Sequence, residues 1–515
     1  MTPDDGRPVR ALAAFAAAPA EPGETASVRF TVPARAFARY DETARAWVWP
    51  PGEFTVRIGR SSAGLRLSVR LKSLFFRTDR PSPGRERLTL CRWRTLSGMR
   101  ARAAAACAAA GVILGCAGCT SGPAHPQPSQ AHATGTGTAP PPLTLPDRAL
   151  PSPGCSTATA RSPSLPGVRT AMVSVSASPF GVAVTPDGRW AFLAVGASIE
   201  VLRTGPSLTP AEVATIPVPG RPLGVTLTRD GRYLLAASGS GAVVLSVARA
   251  EQGRADAVLG TLNDPQNQPA GPSGAIEVAV SADGNYAFVT QEDNFQAAVF
   301  NLHHALTQGF GSGDFVGTIP LGLAPVGLAV SPDGRWLYAT SEVSRQGNPQ
   351  GEKGTLTVIN VARAETDPAA SVVATVPAGC NPVRVITSAD GREVWVTARA
   401  SDDLLCFSAA ALQADPSRAL VAIVRVGEAP VGLMLVRDGS LIVVADSNRF
   451  GAAGATSDLS VVNVAAAVAG KPAVAGVIPA GGFPREMALE PDGQRLLVSN
   501  YMSGQLEAVS IPSIP

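Results

Sequence analysis

The sequence predicts an all-β protein whose main body is a seven-bladed β-propeller, and three observations carry the prediction. One pattern returns seven times, as "SPFGVAVTPDGRWAFLAV", "RPLGVTLTRDGRYLLAAS", "GAIEVAVSADGNYAFVTQ", "APVGLAVSPDGRWLYATS", "NPVRVITSADGREVWVTA", "APVGLMLVRDGSLIVVAD" and "FPREMALEPDGQRLLVSN". Its Asp-Gly pairs begin at Asp187, Asp230, Asp283, Asp333, Asp390, Asp438 and Asp492, 43 to 57 residues apart, which is the length of a four-stranded blade. The last copy ends at its third strand, "GQLEAVSIP" (504–512), while a spare strand, "VRTAMVSVS" (168–176), precedes the first copy. Pairing the two completes the last blade and closes the ring, so that no strand edge is left between the first and last copies.

Residues 1–98 come first in the chain. Within them, 28–71 alternate as strands around a turn at Pro51–Gly52, and "KSLFFRTDRPSPGRERLTLCRWRTLSG" after Leu71 has neither strand nor helix periodicity. Residues 99–116 follow: Met99, the basic Arg100 and Arg102, then the uncharged run "AAAACAAAGVILG". A basic start, a short apolar run and a small-residue end make an export signal, too short to stay as a spanning helix. Residues 117–167 are rich in Pro, Thr, Ser, Ala and Gly and poor in large apolar side chains, so they are expected to be a disordered tether.

Residues 168–511 are the propeller. In each copy a short β-branched strand such as "GVAVS" runs into the Asp-Gly turn, where Asp accepts local backbone bonds and Gly tolerates positive φ. A returning strand such as "RWLYAT" comes next. A third strand, such as "GTLTVINVA" (354–362), and a fourth, such as "SVVATVPAG" (371–379), complete the blade.

Three resemblances follow from these residues. The repeat resembles the YVTN-type units of the seven-bladed lactonase-like propellers, which implies the fold and, as one activity of that superfamily, sugar-lactone hydrolysis at a channel mouth. The segment "YDETARAWVWPPGEFTVRIGRSS" (40–62) resembles the end of the fibronectin-III-like C-terminal domain of family 3 β-glucosidases; only about the last half of such a sandwich is present and no glycosidase catalytic domain accompanies it. "VILGC" resembles a bacterial lipobox, which implies lipidation at Cys116, with Cys119 as the alternative. Residues 1–98 are therefore read as the tail of an upstream glycosidase gene run into a lipoprotein that starts at Met99, a true fusion being the alternative.

Chemistry is sparse. The net charge of +3 gives no pull toward nucleic acid, and none is expected as a partner. Four His are present; His125 and His132 lie in the tether, and the adjacent His303 and His304 read as a polar surface connection. No metal-ligand spacing, G-x-S-x-G elbow or phosphate loop appears, and no His stands where the lactonase resemblance implies one, so no metal and no cofactor are expected. After export a Cys380–Cys406 disulfide is open to formation, though spacing alone does not establish it.

One constellation stands out. Six residues before each turn Asp the chain has Gly181, Gly224, Glu277, Gly327, Arg384, Gly432 and Glu486. Four Gly suit crowded inner strands, and three charges break the rule. The loops after the second strands lie at the same end and carry Glu292, Glu342, Arg399, Asp446, Asn448, Asn500 and Tyr501. A polar cup at the channel mouth is the expected ligand site, with Glu277, Arg384 and Glu486 holding a small polar ligand; a rim of mutually paired charges is the competing reading. The function expected is a monomeric, exported, lipid-anchored module on the outer face of the membrane. It would bind a small polar ligand or a protein partner, with lactone hydrolysis as the alternative and a carbohydrate role from the N-terminal fragment as a third.

Overall fold

Seven sheets of four antiparallel strands follow one another along the chain in the computed structural model. It describes four strands within residues 39–72, and then residues 143, 145–146, 149–155, 162–266, 274–343, 353–449 and 457–515. The chain divides into two units, 1–132 and 133–515. In the first, Arg39–Asp41 pairs with Ala46–Val48, and Glu53–Gly59 pairs with Leu65–Lys72, both antiparallel. The Pro51–Gly52 turn, the segment after Lys72, the export signal and Cys116 lie outside the described residues.

The second unit holds the propeller. Blade 1 is Pro179–Val184, Trp190–Val195, Ser198–Arg203 and Ala211–Pro217, hydrogen-bonded in chain order, and blades 2 to 6 repeat this. Blade 7 takes Pro484–Leu489, Arg495–Asn500 and Gln505–Ser510 from the C-terminal end and Thr170–Ser174 from before blade 1. The register runs from Gln505 opposite Ser174 to Val509 opposite Thr170, so the closing strand lies where the sequence places it. Contacts between inner strands of successive blades, including blade 7 with blade 1, complete the ring.

The core lies between blades. Alternate residues of one strand face opposite neighbours. In blade 5, Leu405 and Phe407 pack with Tyr338, Leu356 and Val358 of blade 4, whereas Leu404 and Cys406 pack with Ile442 and Val444 of blade 6. Both faces are covered, which is why these strands read as continuous apolar runs.

The turns owe their shape to a hydroxyl as well as to Asp-Gly. Asp187 Oδ1 accepts from Thr185 Oγ1 (2.6 Å) and from the Arg189 amide (3.0 Å), and Gly188 takes φ 68°. Thr228, Ser281, Ser331 and Ser388 serve the next four copies in the same way. These bonds to the charged form hold Asp187 and Asp333 below the ordinary carboxylate range, the hydroxyl of Thr185 or Ser331 contributing most. Blade 6 has Val436 at the hydroxyl position, and its turn changes: Arg437 and Asp438 both take positive φ. In blade 7 Glu490 stands there and is paired with Arg495 at 2.8 Å.

Short helices between third and fourth strands, which the strand pattern does not announce, begin where the third strand ends in Asn or Ser. Asn360 and Asn463 side chains accept from the amides of Arg363 (2.9 Å) and Ala466 (2.8 Å). His304 lies on such a helix, Leu302–Gln308, and pairs with the buried Asp314 at 2.6 Å.

Two expectations are corrected. Cys380 is bonded to Cys155, with Cα atoms 5.2 Å apart, and Cys406 is a buried free thiol. Strand alternation is the reason: Cys406 faces blade 6, away from blade 4, which carries Cys380. The expected tether is also seated on the propeller in part. Leu145 and Leu150 pack on the cores of the middle blades, and the Leu165 amide donates to the carbonyl of Val477 of blade 6, whose own amide donates to the Pro163 carbonyl. A few leucines in a Pro-rich segment are enough to dock it once a disulfide limits its freedom.

Candidate binding site at the channel mouth

Inner strands of adjacent blades approach closely beside the axis. A Cβ at Gly327 would lie 2.4 Å from the Val383 carbonyl oxygen, and one at Gly432 would lie 2.2 Å from that of Arg485. Around the ring the order is Gly181, Gly224, Glu277, Gly327, Arg384, Gly432, Glu486. Each charged side chain thus has glycine on both sides, which gives it room to turn inward.

The three charges meet. Arg384 Nε donates to Glu486 Oε1 at 2.6 Å and lies 3.4 Å from Glu277 Oε2, while Nη1 donates to the Val326 carbonyl at 2.5 Å. Their side chains are at most 15% exposed. Burial pushes Glu277 up to about 8, against the pull of Arg384 and with a further push from Glu486. Burial opposes the charge of Arg384, but Glu486 and Glu277 raise its pKa. The expected ligand clamp is thus an internal plug whose arginine is already engaged. On its turn side lies a cavity of about 160 Å³ walled by Val182, Val225, Leu328, Val385, Leu433 and Met487.

On the mouth side, the residues just before the seven inner positions are Phe180, Leu223, Ile276, Val326, Val383, Val431 and Arg485. Six are apolar and belong to one cluster with Phe483. The seventh, Arg485, places its guanidinium 3.7 Å from the Phe180 ring centroid, 5.4 Å from that of Phe483 and 5.6 Å from that of Tyr501. Tyr501 meets Phe180 and Phe483 edge-on and accepts from Arg221 Nη2 at 2.8 Å. Arg449, which is exposed, lies 5.8 Å from the Phe483 ring. Arg485 Nε is buried without a hydrogen-bond partner. Burial, and then the charge of Arg384, push its pKa down to about 9, so the fold leaves a cation here with little compensation.

The other predicted residues divide. Glu342 and Arg399 pair at 2.9 Å beside the mouth, and Glu292 is raised by burial and then by Glu342. Tyr501 lines the cup, and Asn448 takes positive φ in its loop. Asp446 and Asn500 turn into their own blades instead: Asp446 accepts from Ser460 Oγ at 2.6 Å, and Asn500 donates to Glu507 at 2.9 Å. Sequence reasoning missed Arg485, Phe180, Phe483, Arg221 and Arg449. The signal for Arg485 was present, as the one charge among seven otherwise apolar positions. Among the described residues, no three His, Cys, Asp or Glu side chains converge in a set that could hold a metal ion.

Comparisons with known proteins agree with this architecture. Residues 197–453 match the family model described as "Lactonase, 7-bladed beta-propeller", and residues 2–62 match "Fibronectin type III-like domain". A 66-residue stretch is 36% identical to a probable beta-glucosidase G of Neosartorya fischeri, covering 13% of this chain and 8% of that protein. Among solved structures, Kuenenia stuttgartiensis hydrazine synthase is similar in fold, with a TM-score of 0.50 and 16% identity over 69% of this chain and 99% of that one.

Proposed function

We propose that this chain, whose body is a lactonase-like seven-bladed propeller, is a binding module that takes a small anionic ligand with an apolar body at its channel mouth. The observation that carries this reading is Arg485: a half-buried side chain whose guanidinium lies among three aromatic rings, with a buried, unpartnered Nε. A carboxylate or phosphate meets such a group with two parallel hydrogen bonds, stronger than neutral ones. Tyr501, only partly buried, offers ring surface to the rest of the ligand, the buried Phe180 and Phe483 back it, and exposed Phe295 and Met502 extend apolar surface on the neighbouring loops. Arg384 supports from below. The two glutamates that engage it keep it out of direct competition for the anion.

The same reading places the protein outside the cytoplasm, anchored by lipid at Cys116. The Cys155–Cys380 disulfide favours an oxidising compartment. Benzoate is the test probe, because it joins a carboxylate to an apolar ring. Titration calorimetry should show binding to the full chain, weakened by about 10- to 100-fold in Arg485→Ala. Equal binding by the variant rejects the site.

The family match favours a second reading, lactone hydrolysis, in which Glu277, raised toward neutrality, supplies the base. Steady acid release from gluconolactone by the wild-type chain, lost in Glu277→Gln, would replace the binding reading with that one.

A further inference from the structure

We propose that residues 145–146 and 149–155 belong to a strap whose disulfide stiffens one side of the channel mouth, and that a dithiol reductant releases it while the ring stays closed. The inference is independent of which ligand the mouth takes.

The strap is held at both ends. Arg418 donates to the Pro146 carbonyl at 2.7 Å, and Leu145 packs against the cores on both faces of blade 5. At the other end, Lys353 Nζ donates to the Ser152 carbonyl and the Gly379 amide donates to Ser152 Oγ, each at 2.9 Å. The Cys155–Cys380 bond fixes this end beside Ser152.

From Cys380 the connection to the mouth is short. Its amide donates to Ser401 Oγ at 2.8 Å, and its carbonyl accepts from the Ala400 amide at 3.0 Å. The next residue, Asn381, sits at φ 48°. Its carbonyl accepts from the Arg399 amide at 2.9 Å, and its side chain donates to the Glu342 carbonyl at 3.4 Å. Arg399 and Glu342 are the ion pair beside the mouth. The disulfide therefore pins the backbone turn that presents that pair. Ring closure rests elsewhere, on Thr170–Ser174 against blade 7.

Approach is open from one side only, since Cys155 is exposed and Cys380 is buried. A dithiol thiolate attacks the Cys155 sulfur, forming a mixed disulfide and expelling the Cys380 thiolate, which takes a proton. The second thiol of the reductant, losing its proton, displaces the Cys155 thiolate, which is protonated in turn. Two electrons and two protons pass to the protein, and the reductant leaves as its cyclic disulfide.

Hydrogen exchange on the full chain tests this, comparing oxidised protein, protein reduced with dithiothreitol, and Cys155→Ser. The amides of Arg399 and Ala400 should exchange at least about tenfold faster in the last two, over and above any change at 170–174 and 505–509. A rise shared equally by all these amides means that the disulfide holds only the global fold, and it overturns the proposal. Unchanged exchange at Arg399 and Ala400, with residues 149–155 newly unprotected, overturns it too, because the strap is then released without consequence. Cys155→Ser that behaves like oxidised wild type shows that the reductant acts elsewhere, which also refutes it.

Discussion

Asp446 shows how a single carboxyl can shape the pH response of this protein. It is 3% exposed, accepts two bonds through one oxygen from Ser460, and leaves the other oxygen without a partner. Burial pushes it up to about 8, from an ordinary value near 3.8. Between those values the folded chain keeps a proton that the unfolded chain has lost, so the contribution is whole in acid and is lost as pH rises toward 8. The slope is at most about 1.4 kcal/mol per pH unit for one proton. Asp446→Asn keeps an acceptor for Ser460 and removes the titration, so the fall in melting temperature from pH 5 to pH 8 should become shallower. A variant with an unchanged pH profile would show that the proton sits elsewhere. At this scale the sequence reveals residue type and position, but not direction. Asp446, Asn500 and Tyr501 are read together as mouth residues, yet two of them turn into the blade because Ser460 and Glu507 offer partners there. For Arg384 the ligand clamp and the paired rim both stay open in the sequence, because its partners, Glu277 and Glu486, are each about a hundred residues away in sequence, and the structure pairs them.

Elements are more legible than side chains, because strand and turn depend on near neighbours. The Asp-Gly turns, the returning strands and the closing strand could all be assigned from local pattern. The short helices could not, since a single Asn cap such as Asn360 starts one after a strand-like run such as "GTLTVIN". Thr170–Ser174 is the element on which the ring depends most. Deleting it from the full chain exposes the edge of Gln505–Ser510 and leaves blade 7 with three strands. The deleted chain should lose its cooperative melting transition or aggregate. Melting indistinguishable from wild type would mean that another segment closes the ring.

For the whole molecule, the disulfide is a covalent link that sequence spacing did not identify. It joins residues 225 apart, and the loop it closes contains blades 1 to 4. In the chain-entropy account a loop of that length stabilises by up to about 5 kcal/mol, mainly by restricting the unfolded chain. Denaturant titration should therefore give a lower midpoint for Cys155→Ser than for oxidised wild type, and the same midpoint for both under reducing conditions. Equal midpoints in oxidising buffer would show that the bond adds no net stability. The order of residues around the axis has a consequence of parity. Long and short side chains alternate, but an odd ring has no complete alternation, so two short ones must fall side by side. They are Gly181 and Gly224, and of the four inner glycines only these two border the internal cavity. Seven blades thus leave one place on the axis where two short positions adjoin, and the backbones of blades 1 and 2 close it directly, the Gly181 amide donating to the Leu223 carbonyl at 3.1 Å next to Phe180.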